Sequence, residues 1–408
     1  MVNKLKNRLL GGIALLASAF VLPPMTLSAE TVVSTELTLM ANAERTESGD
    51  TGFYNLSNGK FSLSSKGLNE VKGQLTVDVE VTDTVLIDIQ KAWLKAQLAA
   101  FRLTMGKTRL SWGEGYMYNA GDVIFGGKGA DLSAEELRDN NAWLASLYLP
   151  IGDFSFIEAV ALPPDLPILA WQQYAQAKAS ADENPVLQAE FKKKSAPEIA
   201  GPKQTSAGGR AYTKLGGLKF ETGYLWDGTD ELHKPYVSLQ GHLLADLHAS
   251  SSIELGSDKP FSPDTKKSWR ISGGALYQLP LSSYGENPSS GTLDFRFEAM
   301  VSPYGEWNAE TLYAAPFNPL SGDGNASPYA LSLFPQISWK SDTLFAYVRS
   351  VISPIDASAI SSIGLHWAPL QGFKILSGFS LQSGNDGDVY VFDGAQGWKL
   401  SLGTRVDF

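Results

Sequence analysis

The 408-residue sequence contains no cysteine. A long exported chain without disulfides needs another source of stability, and a closed ring of hydrogen-bonded strands supplies one. Long apolar runs are missing as well: past the N-terminus there is no stretch of ~18 apolar residues, so no segment reads as a spanning helix. Histidine is scarce, with only His233, His242, His248 and His366. There is no HExxH, GxSxG or Walker loop, so no metal, cofactor or nucleotide chemistry is expected. Positive charge is in deficit, 33 Lys and Arg against 43 Asp and Glu for a net charge of -10. That balance suits neither nucleic acid nor an anionic membrane surface as a partner.

What is present starts with a leader. Lys4, Lys6 and Arg8 precede an apolar stretch from Leu9 to Val21, and a short polar region ends near Leu27-Ser28-Ala29-Glu30. This is the layout of a cleaved secretory signal peptide over 1–29, leaving 30–408 as the exported protein. No cysteine stands near the cut, which excludes a lipid-modified N-terminus. The remaining chain is too long for one ordinary compact domain, unless the architecture is a barrel that grows by adding strands.

The period along that chain is two. Val71, Gly73, Leu75, Val77, Val79 and Val81 alternate with Lys72, Gln74, Thr76, Asp78 and Glu80. Leu293, Phe295, Phe297, Ala299 and Val301 alternate with Asp294, Arg296 and Glu298. Such segments run for about 9–12 residues, the length of a tilted strand crossing a bilayer, and only alternate residues need face lipid. Aromatics gather near segment ends, at Tyr224, Trp226, Tyr236, Trp269, Tyr329, Trp339, Trp367 and Trp398, as interfacial girdles require. Short turns at 82–84, 150–153, 216–217 and 341–343 alternate with long connections at 113–141, 163–205, 257–267, 302–327 and 383–396. The pattern predicts an all-β, transmembrane antiparallel β-barrel of about 18 strands, with 16 as the alternative if the weak segment 57–66 and a neighbour drop out. An even number puts both termini at the periplasmic rim, with short turns there and long loops outside.

The last strand ends in Ser401, Gly403, Val406 and Phe408, with Trp398, Leu400 and Leu402 extending its apolar face. It resembles the C-terminal signal of outer-membrane proteins, which implies recognition by the barrel-assembly machinery through pairing with an unpaired strand. A second resemblance lies at 87–122. An Ala92-Trp93 strand is followed by Gly106-Lys107, then Trp112-Gly113 and Asn119 to Asp122, as in the early hairpin of porin-like outer-membrane barrels. Ala120 stands where those families carry proline, and Gln90-Lys91 where they carry an acidic residue. The resemblance implies a porin-like barrel in the outer membrane of a diderm bacterium.

Charges on the lipid face cost about 2–4 kcal/mol near the midplane for Lys or Arg. Parity therefore turns Arg102, Arg210, Lys214, Arg270, Asp294, Arg296, Glu298, Lys374 and Lys399 inward as candidate pore-lining residues, with Lys219, Arg405, Asp78, Glu80, Asp88 and Glu221 beside them. Each is also a candidate for a cross-lumen ion pair. His242 shares this face, with Asp246 and Ser238 as candidate partners, and the rest of a hydrolase site is missing. Two loops are candidates for shaping a channel. The 163–205 loop, with a helical stretch from Ile168 to Ala179 and the run Lys192 to Lys194, is either a constriction or a solvated lid. The 113–141 loop leaves Trp112 at the mouth and contains a short helix from Ser133 to Asn140. The expected function is passive diffusion of small hydrophilic solutes. A barrel hydrolase and a structural or surface-binding barrel are the alternatives. Membrane lipid, the assembly machinery and a small solute are the expected partners, and homo-oligomerisation is left open.

Overall fold

The computed structural model describes residues 30–45, 50–66, 71–81, 85–126, 132, 137–138, 140–164, 171–172, 174–175, 178, 201–256, 268–281, 291–309, 329–385, 388–391 and 397–408. Within them the alternating segments become eighteen antiparallel strands. In chain order these are β1 (Glu30–Arg45), β2 (Thr51–Lys66), β3 (Lys72–Val81), β4 (Val85–Leu98), β5 (Phe101–Thr108), β6 (Ala142–Ile151), β7 (Ser155–Leu162), β8 (Ser206–Leu215) and β9 (Leu218–Asp227). They continue as β10 (Leu232–His242), β11 (Asp246–Ser252, extended by Leu255–Gly256), β12 (Arg270–Leu281), β13 (Gly291–Val301), β14 (Leu331–Lys340), β15 (Leu344–Ser353), β16 (Ser358–Leu370), β17 (Phe373–Ser383) and β18 (Trp398–Asp407). The break in β11 has a local cause. Pro235 on β10 has no N–H to donate, so only its carbonyl bonds Ile253, at 3.3 Å. The register on either side, Tyr236 opposite Ser252 and His233 opposite Leu255, is unchanged.

Each strand pairs with its neighbours in sequence, and β18 returns to β1, with Glu36 opposite Asp407 and Glu44 opposite Lys399. The final residue completes the ring: Phe408 N–H donates to the Thr35 carbonyl at 2.8 Å, and Thr35 N–H to the Phe408 carbonyl at 3.2 Å. A closed ring leaves no edge strand, which is the condition for spanning hydrocarbon. The segment read as weakest, 57–66, belongs to β2, one of the longest strands. Both chain ends of the barrel lie at the rim that carries the two- and three-residue turns at 99–100, 152–154, 216–217, 243–245, 341–343 and 371–372. The connections after β5, β7, β11, β13 and β17 are long and lie at the opposite rim. The leader 1–29 and the turn at 82–84 lie outside the described residues.

Parity resolves as the alternation requires. Leu39, Met105, Val348, Ile363 and Leu402 stand exposed on the outer surface, while the inner face carries hydroxyl pairs such as Ser238–Ser250 at 2.8 Å and Ser362–Ser380 at 3.0 Å. At the seam, Ser401 donates to Asn42 at 2.6 Å. The buried apolar clusters lie inside the ring. One packs Met117, Tyr118, Leu132, Leu137, Val389 and Tyr390 from loops onto Met300, Phe334, Val351 and Ile360 of the wall. The other packs Trp112 and Val123 onto Leu144, Val160, Leu162, Leu225 and Tyr236. This corrects two girdle assignments. Tyr236 and Tyr329 are buried in the lumen, not placed at a membrane interface, because the loop apolar surface needs cover there.

Candidate functional site

The site is built by the loop that follows β5. Gly106 has a φ of 117°, and a Cβ there would lie 2.0 Å from the Ala92 carbonyl oxygen. Only glycine permits this close approach, and with it the end of β5 turns inward. Gly113, at φ 66°, permits a second tight turn, since a Cβ would meet Asn119 Oδ1 at 2.6 Å. Asn119 locks that turn by donating to the Trp112 carbonyl at 2.8 Å and accepting the Gly121 N–H at 3.0 Å. Trp112 is therefore fully buried, stacked on Tyr236 with centroids 5.6 Å apart. It sits beneath the loop and does not stand at the mouth.

The loop hangs from the wall by its backbone. Glu298 on β13, 0% exposed, accepts the N–H groups of Tyr116, Met117 and Tyr118 at 2.9, 2.8 and 2.8 Å. Its charge is further met by Arg296 at 3.3 Å, and His248 Nε2 lies 3.7 Å away. Glu221 on β9 accepts the Gly113 N–H at 2.7 Å and the Tyr236 hydroxyl at 2.6 Å. Ser272 on β12 accepts the Ala120 N–H at 2.7 Å. In the opposite sense, Arg210 on β8 donates to the Ser111 carbonyl at 2.7 Å, and Arg349 on β15 to the Leu132 carbonyl at 2.7 Å. A carboxylate that accepts several backbone N–H groups makes charge-assisted bonds, each stronger than a neutral pair. These anchors lie on β8 to β15, so the loop occupies that side of the lumen.

The inward charges then divide into two groups. Arg210, Arg296 and Glu298 are consumed by the loop: Arg210 bridges Glu158 at 2.8 Å and Glu221 at 3.0 Å, and the Arg296 guanidinium lies 4.2 Å from the Tyr116 ring centroid. Arg270 pairs with Glu254 at 3.7 Å, and Asp294 accepts from Gln278 at 3.1 Å. Lys374 pairs with Asp407 at 3.8 Å, Arg405 with Glu36 at 2.6 Å, and Lys107 with Asp88 at 3.4 Å. By contrast, Lys72, Lys95, Arg102, Lys214 and Lys219 have no ion-pair partner among the described residues, and neither has Lys399. The cations adjoin one another: Lys72 is opposite Lys95 across β3 and β4, and Lys214 is opposite Lys219 across β8 and β9. Glu114 on the loop is exposed and lies near Lys219 and Arg210. Crowding by the wall pushes its carboxyl pKa up; Lys219 opposes that shift, Glu221 adds to it and Arg210 opposes it.

His242 bonds Asp246 at 2.8 Å at the short-turn rim, and Ser238 bonds Ser250 instead, so the candidate Ser238–His242 pair is not assembled. The described part of the 163–205 loop includes helical residues at 171–172, 174–175 and 178. Gln172 there accepts the Ile87 N–H at 3.0 Å and donates to its carbonyl at 2.9 Å, covering the β4 backbone that β5 leaves bare. Most of that loop, including Lys192 to Lys194, lies outside the described residues. So does much of the expected helix from Ser133 to Asn140, whose described residues 137, 138 and 140 are not helical. Of the two loops that the sequence offers for shaping a channel, the one after β5 folds into the lumen, and its signal lies in Gly106, Trp112-Gly113 and Asn119.

A closed, apolar-faced barrel of eighteen strands with a lumen spanned by a folded-in loop defines the molecule as a transmembrane barrel of porin-like fold. No protein-family model matches the chain, and no curated protein is significantly similar to it. Among solved structures, OpdO of Pseudomonas aeruginosa matches with a TM-score of 0.51 at 12% identity, over 93% of this chain and 97% of that one. OccK8 (OprE) of Pseudomonas aeruginosa matches with a TM-score of 0.51 at 8% identity, over 93% and 98%. Both share the fold along nearly the whole length.

Proposed function

We propose that the protein is an outer-membrane channel for passive diffusion of small hydrophilic solutes, with anions preferred. The observation that carries this reading is the division of the lumen. One side is filled by the 109–126 segment and its apolar packing, while the opposite and lower wall carries inward cations without ion-pair partners among the described residues. Eighteen strands enclose more space than side chains alone fill, so water occupies the rest. Charge on a low-dielectric wall attracts counter-ions and raises their local concentration. The leader over 1–29 and the Ser401 to Phe408 strand support export and assembly into the outer membrane. Purified, refolded protein in a planar bilayer should give stepwise KCl conductance, and a salt gradient should give a zero-current potential of the sign set by chloride. Absence of conductance from folded barrels would remove the channel reading.

A further inference from the structure

Just below the loop anchors, the inner wall carries a feature that the loop architecture does not use. Tyr148 on β6, Phe156 on β7 and Tyr212 on β8 form a continuous aromatic shelf. Centroids are 4.7 Å apart for the first pair and 4.9 Å for the second, which is stacked at 15°. All three rings are half-buried, so part of each remains open to the lumen. The shelf is bracketed by cations. The Arg102 guanidinium lies 4.3 Å from the Tyr148 centroid, with Lys95 on the neighbouring strand, and Lys214 and Lys219 flank the other end. The nearby carboxylates Glu158 and Glu221 are already bridged by Arg210, whose guanidinium is 5.1 Å from the Phe156 centroid.

Packing alone accounts for rings that touch one another. It does not account for four cations gathered at their ends with no ion pair among the described residues, where other inward cations of this wall are paired, as in Arg405–Glu36 and Lys234–Asp227. Cations without a carboxylate partner on a low-dielectric wall draw mobile anions. Stacked rings add affinity for a flat π-system, and the flanking cations fix where its charge lies. Resting on the channel reading above, we infer that this shelf is a binding site for solutes that combine one negative charge with a flat aromatic ring. It holds them on the periplasmic side of the constriction.

The test compares two probes of equal and permanent charge, benzenesulfonate and cyclohexanesulfonate, as blockers of KCl current through the folded barrel. The shelf predicts that benzenesulfonate reduces the current at about tenfold lower concentration, the scale of one aromatic stacking contact. Phe156→Leu, which removes the central ring, should bring the two probes to within about twofold, each block being read against that variant's own current. Lys214→Gln with Lys219→Gln should weaken both probes alike. Equal potency of the probes on the wild-type barrel overturns the shelf, whatever the variants do. Persistence of the aromatic preference in a folded Phe156→Leu barrel, with folding read from heat-modifiable gel mobility, overturns its location. Absence of any KCl current is a separate result and counts against the channel reading alone.

Discussion

At the scale of single residues, the molecule depends on a few side chains that act on backbone and not on solute. Glu298 is the main one, because three consecutive N–H groups of the loop end on its carboxylate. Glu298→Ala leaves those donors buried and unmet. The expected cost is roughly 2–4 kcal/mol, read as a lower unfolding midpoint in denaturant, together with noisier and larger single-channel currents. Glu298→Gln keeps one acceptor and should fall between. Gly106→Ala is a second test, since its Cβ would overlap the Ala92 carbonyl. It should destabilise the barrel by at least about 1 kcal/mol and disturb the loop more than the strands. A glycine with room to spare, such as Gly216 in the β8–β9 turn, has nothing within contact of a Cβ, though its own φ of 60° still favours glycine.

At the scale of elements, the strands were legible and the loop was not. Period-two alternation locates the strands because the bilayer forces it: one face must be apolar and the other need not be. The start of β2 at Thr51 lies well before the alternating segment 57–66. Even the Pro235 interruption follows from a missing donor. The folded-in loop obeys no such periodicity. Its position follows from glycine dihedrals and from carboxylates more than a hundred residues away, as Gly113 to Glu221 and Tyr116 to Glu298 show. Those pairings leave no pattern in one sequence, so parity identified Glu298 and Arg210 as inward but not as anchors. The same loop supplies a pH prediction. Glu114 is exposed near Lys219, Glu221 and Arg210, and crowding raises its pKa. Its carboxyl should therefore take up a proton at higher pH than an ordinary glutamate, removing a negative charge from the passage. Anion preference should rise as pH falls through that range, and Glu114→Gln should abolish the change in permeability ratio.

At the scale of the whole molecule, closure and assembly separate from one another. The barrel closes through the Phe408 backbone, while the Phe408 ring is 76% exposed and contributes little to packing. Phe408→Ala should thus leave the unfolding midpoint of refolded protein within about 0.5 kcal/mol of wild type. In cells the same substitution should cut the amount of folded barrel in the membrane, since the proposed assembly signal includes the terminal ring. Equal losses in both assays would mean that the ring acts in the folded state. The charge pattern is also a property of the whole. The anchored loop claims Arg210, Arg296 and Glu298 on one side, and the wall that remains open retains Lys72, Lys95, Arg102, Lys214 and Lys219. On the proposed reading, this remaining wall lines a conducting, anion-preferring passage. A zero-current potential across a KCl gradient, on single folded barrels at low salt where screening is weak, tests it most directly. A potential of the sign set by chloride is expected, shrinking toward zero when Lys72, Lys95, Lys214 and Lys219 are changed to Gln together. A potential of the sign set by potassium, or one that ignores those four substitutions, would contradict it.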